Sequence, residues 1–275
     1  MPSALITSRD NQRVKQLRAA FAGNARLADG LVAIEGENLI REAIRSGIAL
    51  RTVFLKERTI APGWFPNGVE VLRLADDVFT SAVDTQSPQG IATLIEPPRW
   101  QLEAVLTANE SSHTKTPLLL IAAGLQDPGN LGTLIRSAEA FGATAVLTTP
   151  GTVSPWNQKA LRASAGSVFR TPVIYVNTSD LSALKTRGIR LLAAVAPDAN
   201  SNPYSPDLTQ PTALMIGNEG NGLSPDLLAL ADDRISIPTP GPVESLNAAI
   251  AGSLLLYEAS RQRQAPRTSS PEPRT

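Results

Sequence analysis

The sequence predicts an α/β protein in which a mainly parallel β-sheet carries helices on both faces and follows a smaller α/β unit. From Leu118 onward, short aliphatic runs alternate with helical patterns, which is typical of βαβ units. Aromatic residues make up only 4% of a chain that is 42% hydrophobic, so the core must consist of Ala, Leu, Val and Ile, which suits a sheet buried on both faces. A length of 275 residues is sufficient for two domains.

Composition excludes several classes of function. The chain has no cysteine, so disulfides and thiolate metal sites are excluded. Its single histidine, His113, lies in a polar stretch that we interpret as linker surface, and we expect no metal site. No apolar run approaches the length of a membrane span and no signal peptide is recognisable. We therefore expect a cytoplasmic protein without a membrane partner.

Charge is balanced overall but uneven along the chain. Lys and Arg number 25, as do Asp and Glu, so total charge does not indicate a nucleic-acid partner. The first sixty residues carry a basic excess of about four charges. Either a phosphate-facing patch or a solvated helix explains this excess, and the sequence leaves both open. The residues that lead it are Arg9, Arg13, Lys15, Arg18 and Arg26.

Residues 1–97 form the first predicted domain. A capped helix is expected to begin near residues 8–11, and a second helix follows Glu35-Gly36 and carries the apolar residues Leu39, Ile40, Ala43 and Ile44. The predicted strands are Leu31–Ile34, Thr52–Leu55, Val69–Leu72 and Ile91–Ile95.

Residues 98–116 are predicted to be an interdomain linker. The prolines at 97 and 98 and the polar composition that follows favour this interpretation, with a short helix at residues 102–106. The tail at residues 264–275 contains little that could be buried and is predicted to be disordered.

Residues 117–263 form the second predicted domain. Ser154-Pro155 and Ser224-Pro225 each place a capping residue before a proline, which predicts two helix starts. A final helix is expected from about residue 246 to residue 263. The predicted strands are Leu118–Ala122, Thr144–Thr148, Val173–Val176, Arg190–Val195, Ala213–Ile216 and Arg234–Ile237.

The first segment that could carry chemistry is residues 125–142. It reads as the end of a buried strand, a Pro-Gly turn and a helix opened by an Asn cap. Apolar residues recur at helical spacing, which places Arg136 on the opposite, polar side. Taken alone, this segment favours a capped helix with a solvated arginine.

The second segment is the glycine-rich run at residues 217–222. Glycines at the carboxyl end of a strand allow backbone to approach a ligand. The spacing G-x-x-G-x-G is neither that of a dinucleotide-binding loop nor that of a phosphate loop. By itself it is also consistent with a tight turn in which Glu219 is solvated.

The third segment is residues 235–253. Prolines at 238, 240 and 242 predict a rigid loop, after which Ser245 is expected to cap a helix with Glu244 favouring the helix dipole. The helix opens with small residues between 248 and 253. Small residues permit close backbone approach, so we expect this helix to lie deep in the fold.

Together these segments resemble the three motifs of SpoU/TrmH-type RNA ribose 2′-O-methyltransferases, members of the SPOUT class. The matching residues, in the family's order, are 130–136, Gly217-x-Glu219-Gly220-x-Gly222-Leu223, and Ile237-Pro238 followed by Ser245-Leu246-Asn247. Residues 162–169 resemble the Ser-Ala-Gly segment between the first two motifs. The first domain resembles the family's ribosomal-protein-like RNA-recognition domain through Glu35-Gly36 and residues 85–90.

The resemblance implies a reaction and a set of residues. It implies methyl transfer from S-adenosylmethionine to a ribose 2′-hydroxyl of RNA, a trefoil-knotted catalytic domain and a homodimer. Asn130, Arg136, Glu219, Ser245 and Asn247 match the family's catalytic positions, and Gly217, Ile237 and Leu246 match its cofactor-binding positions. Thr239 and the additional prolines depart from the family pattern, which leaves the cofactor contacts of that loop open.

Alternatives remain for substrate and activity. The recognition domain favours large-subunit ribosomal RNA over transfer RNA. A catalytically inactive RNA-binding homologue is a second possibility, and an unrelated nucleotide-binding enzyme is disfavoured by the glycine spacing. Because a guanidinium stays protonated in proteins, we expect Arg136 to bind a phosphate and stabilise an alkoxide rather than to act as a simple base.

Overall fold

The structure is a computed structural model that describes residues 5–22, 30–85, 87–112, 116–197 and 206–264. The interpretations of Arg26 and His113, and of the tail from residue 265, concern residues outside these ranges. Within them the chain forms two β-sheets, one of five strands and one of six. Among the helices of the described residues, none combines the length and the hydrophobicity that a membrane span requires.

The first sheet is mixed. Its strand order is β1-β4-β3-β5-β2, with β3 parallel to β4 and antiparallel to β5. The predicted strands are confirmed to within two residues, whereas β1 and α3 were not predicted. The elements are β1 (Leu5–Ile6), α1 (Gln12–Ala22), β2 (Val32–Glu35), α2 (Glu37–Arg45), β3 (Leu50–Lys56), β4 (Glu70–Leu74), α3 (Asp76–Ala82) and β5 (Ile91–Ile95).

Helices cover this sheet on both sides. Val14 and Leu17 of α1 and Phe79 of α3 pack with Phe54 on one face. Ile40 of α2 belongs to a different apolar cluster, which continues into the core of the second domain. The two domains therefore share a hydrophobic contact, and α2 lies on the side of the first domain that faces the second.

The basic residues near the amino terminus are partnered within their own domain. Three of these four cations contact an acid and Arg18 contacts a neutral carbonyl. Exposed ion pairs of this kind are weak, so the solvated helix and the phosphate-facing patch both stay open. The contacts are Arg9 with Asp77 at 3.0 Å, Arg13 with Glu70 at 3.1 Å, Lys15 with Asp10 at 3.0 Å, and Arg18 Nε with the Ser81 carbonyl at 3.2 Å.

The second sheet is parallel throughout. Its strand order is β11-β9-β10-β6-β7-β8, and the predicted strands are confirmed. Its strands are β6 (Leu118–Ala122), β7 (Ala145–Thr148), β8 (Val173–Tyr175), β9 (Arg190–Ala194), β10 (Thr212–Ile216) and β11 (Asp233–Ile235). Its helices are α4 (Leu102–Ser112), α5 (Pro128–Ala140), α6 (Gln158–Ser164), α7 (Thr178–Thr186), α8 (Pro225–Leu230) and α9 (Ala248–Gln264).

Both faces of this sheet are buried, as predicted. Leu118 and Leu120 of β6 join an apolar cluster with residues of α5, α6 and α9. The alternate residues Leu119 and Ile121 join a second cluster with α4 and α7. Because successive side chains of a strand point to opposite faces, the continuous aliphatic run of β6 fills both layers.

Two segments differ from the predictions. The helix expected to start at Ser154-Pro155 starts at Gln158, because Asn157 is the residue whose side chain accepts the first free backbone N–H. In the predicted linker, α4 continues to Ser112, and Leu106 is buried against the second sheet.

The last helix lies close to its neighbours, as its small residues predicted. A Cβ added at Gly252 would lie 2.5 Å from Leu134 Cδ2 and 3.2 Å from Ile216 Cγ1. The helix begins at Ala248 rather than near residue 246, and it includes Gln264, the first residue of the predicted tail. Its opposite face is exposed at Ile250, Leu254 and Tyr257.

Candidate functional site

Three chain segments meet at the carboxyl edge of the parallel sheet. Strand β6 leads into the start of α5, β10 leads into the glycine-rich loop, and β11 leads into the proline-rich loop before α9. Strands β6 and β10 are direct neighbours, so their following loops are adjacent. Ligands of open α/β sheets bind at this edge.

Helix α5 is capped by Asp127, so the prediction that an Asn caps it is wrong. The Asp127 carboxylate accepts the Asn130 backbone N–H at 2.9 Å, and Pro128 occupies the first helical position. Asp127 also accepts a hydrogen bond from Lys159 at 2.7 Å, which together with the backbone hydrogen bond lowers the pKa of its carboxyl. The side chain of Asn130 is consequently free to face the neighbouring loops.

A chain of side-chain hydrogen bonds joins the three segments. Asn130 Nδ2 donates to Glu219 Oε1 of the glycine-rich loop. Asn130 Oδ1 accepts from Asn247 Nδ2 at 3.1 Å. The structure thus brings together three of the predicted catalytic residues, although they come from positions far apart in the sequence.

The glycine-rich loop is a tight turn, and its glycines are required by its shape. Asn218 and Gly222 exchange two backbone hydrogen bonds, at 3.0 and 2.8 Å. A Cβ at Gly217 would lie 2.3 Å from the Gly222 carbonyl carbon, and Gly222 has a φ of +66°. Asn218 Nδ2 donates to the Gly124 carbonyl at 2.9 Å, which ties this loop to the end of β6. The turn therefore presents Glu219 to Asn130 rather than to solvent alone.

A cavity of about 380 Å³ opens beside this turn, within the size range of small-molecule sites. All three predicted cofactor positions, Gly217, Ile237 and Leu246, line it. Glu219 lines it as well, so one residue belongs both to the cavity and to the hydrogen-bonded chain. Thr239, the departure from the family pattern, is also part of the wall.

Sequence reasoning missed another wall of the cavity. The residues concerned are 194–197, which follow β9, and Leu228 of α8. Strand β9 lies beside β10 in the sheet, so its carboxyl end reaches the same edge. Chain order could not reveal this neighbour, because β9 and β10 pair only as the sheet assembles.

The other two predicted catalytic residues stand apart from the hydrogen-bonded chain. Arg136 is exposed on α5, about 9 Å along the helix axis from Asn130. In the part of the chain that the structure describes, no acid or carbonyl pairs with its guanidinium. Ser245 lines the cavity but does not cap α9. Asn247 is the cap, since its side-chain carbonyl accepts the Ala249 and Ile250 backbone N–H groups.

Comparison with known proteins decides the family. Residues 117–257 match the SpoU rRNA methylase family, and residues 11–93 match the MRM3-like substrate-binding domain. The chain is 35% identical over 254 residues to the 23S rRNA (guanosine(2553)-2′-O)-methyltransferase RlmP of Bacillus subtilis, covering 92% of this chain and 97% of the relative. The chain belongs to the SpoU rRNA methylase family.

Solved SpoU methyltransferase structures have the same fold as this family member. The complex of AviRb from Streptomyces viridochromogenes with AdoMet superposes with a TM-score of 0.81 at 29% identity, covering 94% of this chain and all 100% of that one. The AdoMet-bound rRNA methyltransferase from Sinorhizobium meliloti gives a TM-score of 0.80 at 27% identity, covering 96% and 99%.

The cap of α5 generates a prediction for this SpoU protein. Asp127→Ala should lower the free energy of unfolding by about 1 kcal/mol at pH 7, the usual cost of losing a helix cap. Asp127→Asn keeps a capping oxygen and should lose only the charge effect. Because the folded-state pKa of Asp127 is lowered, that effect is complete above its ordinary pKa and disappears as the pH falls through the lowered value.

Urea unfolding at pH 7 and at about pH 3 measures this difference. Asp84→Asn, which removes an exposed carboxylate from the first domain, is the control and should be neutral at both pH values. Equal stabilities of wild type and Asp127→Asn at pH 7 would contradict the proposed charge contribution.

Proposed function

We propose that this chain is an S-adenosylmethionine-dependent RNA ribose 2′-O-methyltransferase that acts on large-subunit ribosomal RNA. The observation that carries the proposal is the position of Glu219, which lines the cavity and accepts a hydrogen bond from Asn130. The cavity, which would hold the methyl donor, and the hydrogen-bonded side chains, which would hold the methyl acceptor, therefore lie next to each other. The names of the relatives, which specify 23S rRNA and the 2′-oxygen, support the substrate. Such a substrate places the reaction where ribosomes are assembled, which we propose is the cytoplasm.

The residues of the cavity fit S-adenosylmethionine. The backbone at Gly217 has no side chain in the way, and Ile237 and Leu246 would hold the cofactor from the facing loop. Leu223 and Leu255 offer apolar surface to its adenine and aliphatic parts. When bound, the sulfonium supplies a methyl group reactive enough that the protein needs mainly to align donor and acceptor.

The polar residues would position the ribose. Asn130 is oriented by Glu219 and Asn247, and we assign it to hold the acceptor ribose. Arg136 would bind the phosphate of the target nucleotide and stabilise the developing 2′-alkoxide, since a guanidinium is a poor base at neutral pH. Ser245 would support the loop at the edge of the cavity.

We propose the domain division 1–97 for RNA recognition, 98–116 for the linker and 117–263 for methyl transfer. The match of residues 11–93 to a substrate-binding domain supports the first of these. Transfer RNA is the competing substrate, and a protein that binds RNA without methylating it is the competing activity. Both are outcomes of the experiments below.

We further propose that the carboxyl-terminal chain forms a trefoil knot. The chain runs from β11, at one edge of the sheet, to α9, which packs beside β10 near the sheet centre. Helix α8 packs with the cluster on the opposite face from α9. A return path of this kind supports threading of the last segment under the preceding loops, an exception to the usual avoidance of knots.

We also propose a homodimer formed through α9. Ile250, Leu254 and Tyr257 follow one another at helical spacing and are 53%, 44% and 52% exposed. Tyr257 makes an edge-to-face contact with Phe141 at the end of α5, which extends the apolar surface. A second copy of this chain would cover the stripe.

Cofactor binding should depend on Gly217. Gly217→Ala would force a Cβ to within 2.3 Å of the Gly222 carbonyl carbon, so the turn must open and S-adenosylmethionine affinity should fall by at least about tenfold. Isothermal titration calorimetry measures the affinity. Gly220→Ala is the matched control, because its nearest contact would be 3.4 Å from the Asn218 side chain. Equal affinities of the two variants would contradict the assigned cavity.

Methyl transfer should depend on the guanidinium of Arg136. Arg136→Lys should retain S-adenosylmethionine binding but lose at least about 100-fold in methylation rate, because a lysine cannot provide two parallel hydrogen bonds to a phosphate. Mass-spectrometric mapping of ribose methylation on RNA from cells lacking the gene measures the product. Arg187→Lys, the same change at an arginine of the second domain that binds Glu103 and does not line the cavity, is the control.

Three results would each correct the proposal. Full activity of Arg136→Lys would remove the arginine from the mechanism. Methylation of transfer RNA would replace the substrate. Cofactor binding without methylation of any RNA would leave an RNA-binding homologue.

The dimer should depend on the exposed stripe. Leu254→Asp places a charge in the middle of the stripe and should convert a dimer into a monomer. Light scattering after size-exclusion chromatography measures the mass. Ile60→Asp is the control, because Ile60 is 88% exposed in a loop of the first domain. A dimeric Leu254→Asp variant would exclude this surface as the interface.

A further inference from the structure

A charged cluster outside the proposed methyl-transfer site joins the two domains. Arg170, after the short 3-10 helix at Ser167–Phe169, donates through Nε and Nη2 to the two carboxylate oxygens of Glu139, at 2.5 and 3.0 Å. Its Nη1 donates to Glu42 Oε2 and Ser46 Oγ, both at 2.9 Å. Glu139 belongs to α5 of the second domain, and Glu42 belongs to α2 of the first. One guanidinium therefore binds both.

The cluster is partly shielded and fully charged. The side chains of Arg170, Glu139 and Glu42 are 36%, 33% and 27% exposed, less than those of most surface ion pairs in this chain. The hydrogen bond from Arg170 is the main cause that lowers the pKa of Glu139. For Glu42, the hydrogen bond from Arg45 is the main cause and that from Arg170 adds to it. Partial burial makes such a bidentate pair stronger than an exposed one.

Two further contacts bring the same parts of the domains together. A Cβ at Gly166 would lie 2.6 Å from Glu42 Cβ, so the segment before Arg170 touches α2 with almost no space between them. Gln158 of α6 donates through Nε2 to the Ala33 carbonyl at 2.8 Å in a buried position. The interface therefore contains tightly packed and buried contacts, and the Arg170 cluster lies at its partly exposed edge.

The part of α5 that Arg170 holds through Glu139 also carries Arg136. Residues three or four apart on a helix are surface neighbours. Arg136 is one turn before Glu139, which Arg170 holds, and one turn after Gly132, where an added Cβ would lie 2.4 Å from the Ala160 carbonyl oxygen of α6. Arg136 therefore lies on the strip of α5 that runs along α6 toward the interface with the first domain.

We propose that Arg170 is a positioning residue that fixes the first domain relative to α5, so that RNA bound by the first domain presents its target nucleotide to Asn130 and Arg136. The inference rests on the proposed function, because it assumes that the first domain binds the RNA. Lysine cannot take this role, since a single ammonium cannot engage Glu139 through a fork and Glu42 at the same time.

Steady-state kinetics test the proposal. Arg170→Ala should lower kcat/KM for ribosomal RNA by about 10- to 100-fold, mainly through KM, because a small misplacement of the substrate is costly. S-adenosylmethionine affinity should not change. Arg170→Lys should recover little of the kcat/KM that Arg170→Ala loses. Arg45→Ala is the matched control, because Arg45 binds the other oxygen of Glu42 at 2.8 Å without reaching the second domain.

A distance measurement tests, without relying on activity, whether Arg170 holds the two domains in one relative position. The chain has no cysteine, so spin labels can be attached cleanly at R58C in the first domain and A183C in the second. We expect a narrow distribution of label distances in the parent chain and in Arg45→Ala, and a broad one in Arg170→Ala. Glu42→Gln removes the charge through which Arg170 binds the first domain and leaves both hydrogen bonds from Arg170 to Glu139 in place. It should also broaden the distribution, even if Arg170→Ala fails to fold, and Arg45→Ala controls for the loss of the Arg45 contact to Glu42.

The outcomes separate this inference from the proposed function. An unchanged distance distribution in both Arg170→Ala and Glu42→Gln would show that Arg170 does not fix the two domains relative to each other. A broadened distribution with an unchanged KM for RNA overturns the positioning role. A wild-type protein that does not methylate RNA overturns the proposed function instead, and then the distance measurement alone decides whether Arg170 holds the domains together.

Discussion

The close packing of α5 on two sides is the constraint on which the rest of the structure depends. Gly132 leaves no space for a side chain against α6, and Gly252 of α9 leaves none against Leu134 of α5. Because both contacts are formed without an intervening Cβ, neither neighbouring helix can approach or rotate without a clash. The position of α5 is thereby fixed, and with it the positions of Asn130 and Arg136.

The same helix connects the proposed chemistry to RNA recognition. Its first turn bears Asn130, which faces the glycine-rich loop, and its last turn bears Glu139, which is held by Arg170. Between them lies Arg136, whose guanidinium has no acid beside it in the described residues. Within the part of the chain that the structure describes, the Arg136 guanidinium is therefore unpaired, and it lies on a helix that is held at both ends. Such a group is suited to bind a phosphate of a ligand that approaches along the domain interface.

Hydrogen bonds among the side chains of the site contribute only part of what holds the loops in place. A typical hydrogen bond contributes about 1 kcal/mol net, and Glu219 and Asn247 are exposed to competing water. The loops are also held by hydrogen bonds to backbone groups: the turn closed by Asn218 and Gly222, the Asp127 cap of α5 and the Asn247 cap of α9. A site built in this way is preorganised before any ligand enters.

The sequence by itself determined the fold class, the strands and the glycine loop, because these depend on local patterns such as the aliphatic run of β6 and the glycines of residues 217–222. It misplaced the caps at 127, 157 and 247, because each segment contains several residues able to cap and the path of the incoming chain selects among them. It also missed α3 and the two-residue β1, whose patterns are too short. Only the tertiary structure decided that β9 contributes a wall of the cavity, that Asn130 joins Glu219 to Asn247, and that Arg170 binds two domains, because these contacts join residues that only folding brings together.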